Sequence, residues 1–308
     1  MPRRIAVMDL GTNTFHLLIA EKDGAHFKTR CHLENSTRLG EDGMPDGYIK
    51  ASAFERGVAA LVNFKKAIDK FGVTDIKAIG TSALRSAKNG TDFIQQVKSE
   101  TGIEIVSVDG ETEAGYIYQG VRSTGILPSD ISLILDIGGG SIEFIICDNQ
   151  SIFWKRSYEI GAARLMKQFH HSDPISADEI ADLERYLDEV LPDMYAATTE
   201  HNVTNLVGSS GAFETFAELI ESQKGNDFDM ATIKACRFDQ NELMRQLADL
   251  ICSTHPERAA NKHIPHVRTD MIVVSSVVTR YLIQKLNIRS TAMSVYSLKE
   301  GVLAEMLR

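Results

Sequence analysis

One short plan occurs twice in this chain: an apolar strand, an aspartate at its end, a tight turn of small residues and a second apolar strand. Ile5 to Met8 run into Asp9-Leu10-Gly11-Thr12-Asn13-Thr14 and a second apolar stretch through Ile19. Leu133 to Leu135 run into Asp136-Ile137-Gly138-Gly139-Gly140-Ser141 and then Ile142 to Cys147. Both pairs read as buried strand, tight turn, buried strand, and a carboxylate seldom sits in such a place unpaired. The visitor that suits a loop almost bare of side chains is a phosphate, with a metal ion to offset its charge. A duplication at this spacing is no solenoid, and it predicts two related domains facing each other.

Between the hairpins the pattern alternates helix and strand, which gives an α/β chain. Ser52 and Glu55 read as a capping box ahead of Phe54, Val58, Leu61, Phe64, Ile68 and Phe71, with Gly72 as the stop. Ile76 to Ile79 and Ile103 to Val108 read as short buried strands, and a helix is expected from about Glu111 to Val121. In the second half, Ser176 with Glu179, Asp239 with Glu242 and Ser297 with Glu300 each read as helix starts. Asn205 to Val207 is a short strand leading into Gly208-Ser209-Ser210-Gly211, and Asp270 opens an apolar helix to Leu286. The hinge candidate is Gly120 to Asp130, which divides the chain into domains at 1–125 and 126–308, with the last helix able to pack back on the first domain.

Composition excludes several function classes. The 308 residues carry a formal charge of −9, against the basic patches that nucleic acids and membrane surfaces demand. Neither DNA nor a membrane is an expected partner, and an anionic substrate needs local help from arginines or a divalent cation. Cys31, Cys147, Cys236 and Cys252 show no CxxC spacing and read as free thiols of a reducing cytoplasm. Asp9 cuts the first apolar run too early for a signal peptide, and no apolar stretch approaches the roughly 20 residues that span a bilayer. His263 and His266 flank Pro265 without a third ligand at zinc spacing. No GxSxG elbow and no Walker A loop occurs.

Four features carry phosphate chemistry, each beside a plainer reading. Gly138 to Ser141 can wrap backbone N–H groups around an anion or simply turn a hairpin; Asp136 before it and the repeat at Asp9 favour the first. Gly208 to Gly211 is either another set of N–H donors or a small-residue turn. Glu143 shares a hairpin face with Ser141, as a holder of metal or water or as an edge residue facing solvent. Glu113 falls in the first turn of its helix, where the dipole favours an ionised base; ordinary helix capping would place a glutamate there as well.

Taken together, DLGTNT, DIGGGS and GSSG resemble the phosphate-binding loops of the actin, Hsp70 and sugar-kinase superfamily, with two ribonuclease H-like domains facing a cleft. Within it the chain is similar to the Ppx/GppA family of exopolyphosphatases and guanosine pentaphosphate phosphohydrolases. GTSALRSAKN, GETEAGYIYQGV, RTDMIVV and SLKEGVLAEM add to the match, in order, over nearly the whole chain. The resemblance implies that Glu113 activates water, that Asp136 and Glu143 help hold Mg²⁺ (or another divalent cation) and the attacking water, and that Asp9 faces them. It implies that Gly11, Thr12, Asn13 and Thr14, with Gly138, Gly139, Gly140 and Ser141 and the Gly208-Ser209-Ser210-Gly211 turn, cradle phosphates. Arg85 would contact the substrate's phosphates, and Arg38 matches a family position.

Three departures stand out. Thr112-Glu113 replaces a frequent pair of adjacent glutamates, Thr12 and Thr14 replace serines, and Ala212 stands where a threonine commonly follows the GSSG turn. Longer members add an HD-type domain; with no His-Asp dipeptide, this chain reads as the short form. The expected activity is release of terminal phosphate from inorganic polyphosphate. Guanosine pentaphosphate hydrolysis is the alternative, followed by an actin-like kinase or ATPase and a non-catalytic sensor of polyphosphate or alarmone. A homodimer is compatible with the family.

Overall fold

The structure, a computed structural model, describes residues 3–23, 26–40, 47–230 and 232–307. In chain order the first half contains β1 (Arg4–Leu10), β2 (Thr14–Asp23), β3 (His26–Ser36), α1 (Ala51–Lys70), β4 (Asp75–Gly80), α2 (Ser82–Ser86), α3 (Gly90–Thr101), β5 (Ile105–Ser107) and α4 (Gly110–Ser123). There follow β6 (Ser132–Ile137), β7 (Ile142–Cys147), β8 (Ile152–Tyr158), α5 (Ala162–Phe169), α6 (Ala177–Val190), α7 (Pro192–Glu200), β9 (Asn205–Ser209) and α8 (Gly211–Gln223). The last elements are β10 (Ala235–Arg237), α9 (Gln240–Cys252), α10 (His255–Ala260), α11 (Met271–Lys285), β11 (Ser290–Ser294) and α12 (Leu298–Met306).

The duplication read from the two aspartate hairpins extends to the sheets. One sheet has the order β3-β2-β1-β4-β5, and the other runs β10-β11-β9-β6-β7-β8. In both, the three strands of a meander pair antiparallel and the next two join in parallel. Antiparallel β10 is an addition at the edge of the second sheet. This is a two-sheet α/β architecture with one strand plan used twice.

Each sheet has its own apolar core, and a third core joins them. Ile5, Val7 and Ile79 of the first sheet and Ile134, Ile145 and Val207 of the second meet Ile117 and Val121 of α4 and Val302 and Leu303 of α12. The C-terminal helix therefore packs back on α4 and β1. The crossing is close: a Cβ on Gly120 would lie 1.9 Å from the Ser297 carbonyl oxygen, and one on Gly301 would lie 1.9 Å from that of Tyr116. Only residues without side chains allow that approach.

Some local expectations need correction. Helix α1 starts at Ala51 with Lys50 at its N-cap, and no side chain caps it, so the Ser52–Glu55 box does not form. The Ser176–Glu179 box does form. Gly120 lies inside α4, which ends at Ser123, so the hinge candidate shrinks to the irregular stretch 124–131. All four cysteines are free. Among the described residues no helix is long and apolar enough to cross a membrane.

Candidate active site

Strand register gathers the acids. Asp136 at the end of β6 pairs across the ladder with Glu143 of β7, and Glu143 pairs with Ser157 of β8, whose hydroxyl donates to its Oε1 at 2.6 Å. In the first hairpin the corresponding partner of Asp9 is His16. Helix α4 is N-capped by Asp109, whose carboxylate accepts the Thr112 N–H at 2.7 Å, and this cap sets Glu113 in the first turn. Asp9, Glu113, Asp136 and Glu143 line one cleft of about 200 Å³.

These carboxyls are short of water and close to one another. Glu113, Asp136 and Glu143 are 7%, 6% and 1% exposed. Burial raises Glu113 to about 8 against the pull of Arg85, and raises Asp9 to about 7 against the pull of Lys299. Glu143 is pushed well up, by burial first and then by Glu113 and Asp136. Asp136 also rises through burial, although the Ser297 hydroxyl donates to its Oδ2 at 2.6 Å and partly offsets this. At the helix start the dipole and Arg85 favour the ionised form of Glu113, and burial opposes them.

The two turns meet across the cleft. A Cβ on Gly139 would lie 2.2 Å from Asn13 Nδ2, and one on Gly140 would lie 2.5 Å from Ser82 Oγ and 2.6 Å from Thr12 Oγ1. Glycine is what lets the turns approach this closely. The N–H groups of Gly161, Ala162 and Ala163, at the start of α5, donate to the carbonyls of Gly140, Gly138 and Gly139 at 2.8–3.0 Å. This fixes the carbonyl side of the glycine turn against α5 and leaves its other side to the cleft.

A profile of the Ppx/GppA phosphatase family matches residues 18–308. The chain belongs to this family. It is 28% identical over 307 residues to Exopolyphosphatase 1 of Mycobacterium tuberculosis, an alignment covering 99% of this chain and 88% of the mycobacterial one. The crystal structure of an exopolyphosphatase from Cytophaga hutchinsonii superposes with a TM-score of 0.96 at 36% identity, over 99% of this chain and 98% of that one. The Ppx/GppA family member of Aquifex aeolicus, at 23% identity and a TM-score of 0.83 over 100% and 98% of the two chains, shares the fold.

Most residues singled out from this Ppx/GppA sequence lie together. Gly11 to Thr14, Gly138 to Ser141, Ser210 and Gly211 line the cleft with the four acids. Ser210 holds φ at 67°, unusual for a residue with a side chain, and its hydroxyl donates to the Ile137 carbonyl at 3.2 Å. Gly208 and Ser209 do not line the cleft; Gly208 faces the ring of Phe213. Arg38 is exposed, with φ at 49°, and lies in a neighbouring groove that shares Asn13 with the cleft. Arg85 sits beside the cleft, donating from Nη1 to Glu113 Oε2 at 2.8 Å. Among the described residues no three His, Cys, Asp or Glu groups are gathered tightly enough to cage a metal ion. Asp9, Asp136 and Glu143 thus share a cleft without forming a closed ligand set.

Other cleft residues carried no sequence assignment. The buried Nδ1 of His16 makes no hydrogen bond among the described residues, with Glu34 Oε2 3.9 Å away, and burial lowers its pKa well below the ordinary value. Lys299 brings a shielded ammonium, 3.4 Å from Glu300. Arg268 pairs with Glu214 at 3.0 Å. Lys299 and Arg268 fall within SLKEG and RTDM, so a motif signal existed without indicating a role.

Proposed function

We propose that this chain hydrolyses the terminal phosphoanhydride of inorganic polyphosphate, and that Glu113 is the base. The observation that carries this reading is a buried glutamate, steered by Arg85, in a cleft walled by two phosphate-type turns. The names of the relatives, exopolyphosphatases from two organisms, support it. Among the described residues no Phe, Tyr or Trp lines the cleft or the adjoining groove. A purine base would therefore find only imidazole rings and guanidinium planes to stack on, with no large aromatic slot, and the relatives' names favour an inorganic chain over guanosine pentaphosphate or ATP.

In this mechanism the Gly11–Thr14 and Gly138–Ser141 turns hold the terminal phosphoryl group by backbone N–H donors and the hydroxyls of Thr12, Thr14 and Ser141. Glu113 takes a proton from water as its oxygen attacks the terminal phosphorus. The bridging P–O bond breaks, and the shortened chain leaves with that oxygen. Turn donors and the Lys299 ammonium would offset charge building on the transferred group. Asp136 and Glu143, with Asp9 opposite, are the residues to hold Mg²⁺; burial first, and for Glu143 and Asp9 the neighbouring acids as well, raises their pKa values, and a bound cation would oppose that rise. Mg²⁺ keeps several waters and substrate oxygens in its shell, so one or two protein carboxylates suffice to hold it. When bound, such an ion would polarise the phosphoryl group and favour ionised Glu113. We place the domain boundary at 125/126, with closure about the stretch 124–131 admitting substrate.

The test is phosphate release with Mg²⁺ from long-chain polyphosphate, guanosine pentaphosphate and ATP. Preferential release from polyphosphate is expected. Preference for the pentaphosphate would move the protein to alarmone turnover, and tight binding without release would make it a sensor.

A further inference from the structure

Beside the cleft, one exposed carboxylate is gripped by more donors than a surface acid ordinarily attracts. Glu159 follows the end of β8, and its side chain is 44% exposed. It accepts from Ser82 Oγ at 2.6 Å, Arg85 Nη2 at 2.7 Å and Arg164 Nη2 at 3.0 Å. Ser82 and Arg85 belong to α2 and Arg164 to α5, so the grip links elements packed on the two different sheets. Each donor also reaches the reacting centre. Arg85 holds Glu113, Arg164 Nε donates to the Gly140 carbonyl at 2.9 Å, and Ser82 lines the cleft itself.

We propose that Ser82, Arg85 and Arg164 form a second phosphate site, taking the phosphate group next to the one being cleaved, and that Glu159 occupies it in the free protein. The proposal deepens the polyphosphate reading and rests on it. One amino group from each of two guanidiniums and a hydroxyl converge on one point, a donor set that suits a tetrahedral oxyanion. A phosphate brings more acceptor oxygens and more charge than the carboxylate it would displace. Glu159 has room to leave, because it is exposed and lies outside the regular strand, and what it gives up on leaving are its contacts to these three donors. The site adjoins the glycine turn, since a Cβ on Gly140 would lie 2.5 Å from Ser82 Oγ. An anion there would lie beside a phosphoryl group held by that turn, as neighbouring units of one chain do. Glu159 is thus a positioning residue: it parks Arg85 and Arg164 until substrate arrives.

The experiment is a calorimetric titration of the intact protein with tripolyphosphate and with inorganic phosphate in the presence of a chelator, so that binding is read without turnover. Glu159→Gln is expected to bind tripolyphosphate about tenfold tighter than wild type, the factor that corresponds to losing one competing charged contact. Arg164→Gln should bind it about tenfold more weakly, and Arg164→Lys, which keeps the charge and loses the fork, should fall between. In turnover with Mg²⁺, Glu159→Gln should lower KM without raising kcat. Unchanged or weaker binding by Glu159→Gln would make Glu159 a structural brace and overturn the proposal. Unaltered binding by Arg164→Gln, or no binding of either anion by wild type, would overturn it too. Wild-type protein that binds in the expected order of variants but releases no phosphate from polyphosphate would refute the hydrolase reading and leave the anion site standing.

Discussion

Glu113→Gln separates what the site requires of this carboxyl for chemistry from what it costs the fold. Burial raises Glu113 to about 8 from an ordinary 4.5, which favours its protonated form in the free protein near neutral pH. The folded chain holds this proton more tightly than the unfolded one. Its contribution to stability is therefore complete below pH 4.5 and is lost as pH rises through about 8. An amide stays neutral across that window and still offers Arg85 an oxygen. Glu113→Gln should accordingly be at least as stable as wild type at alkaline pH, while kcat for phosphate release falls by roughly 10²- to 10⁴-fold through loss of the general base. The two readouts are kcat on polyphosphate and the urea midpoint measured at mildly acidic and mildly alkaline pH. A variant that retains activity within a few-fold of wild type would remove Glu113 from the chemistry. One that is inactive and also less stable than wild type at alkaline pH would show that the burial argument is wrong.

Three further outcomes are expected. Gly301→Ala should force α4 and α12 apart, since its Cβ would meet the Tyr116 carbonyl oxygen at 1.9 Å. A loss of about 1–3 kcal/mol is expected from denaturant unfolding, and an unchanged midpoint would contradict the close crossing. Partial burial tends to raise Glu179, but hydrogen bonds from Ser172, Ser176 and His171 outweigh it and hold the carboxyl at about 2. The stabilisation it gives is present above about pH 4.5 and lost as pH falls toward 2, so Glu179→Gln should flatten the acid limb of a melting-temperature profile. Asp136→Asn should raise the Mg²⁺ concentration needed for half-maximal turnover, and an unaltered Mg²⁺ dependence would count against a role in holding the ion.

The parts of this fold that could be read from sequence are those encoded locally. The aspartate hairpins announce themselves because β1, β6 and β7 are apolar on both faces and their turns are built of small residues. Helices α6 and α9 are legible from their capping residues. Strands β3 and β8 are not, because they lie at sheet edges where His26–Ser36 and Ile152–Tyr158 mix charged and apolar side chains without a buried run. The same division holds in the site. Asp136 and Glu143 are close in sequence and meet across one hairpin, so alternation finds them. The Ser82–Arg85–Glu159–Arg164 grip joins residues brought together only when the sheets close on each other, and no spacing rule reports it. The ionisation of Glu113 illustrates a different limit: its helix position is local, but its burial is a property of the assembled cleft.

The central claim, hydrolysis by water at the terminal phosphorus, is tested most directly by running the reaction on long-chain polyphosphate in heavy-oxygen water and weighing the released phosphate. The account predicts one heavy oxygen in each phosphate released, together with loss of release in Glu113→Gln. Release of phosphate without solvent oxygen, or transfer of the group to a nucleotide acceptor, would contradict it and assign the cleft to a phosphotransferase.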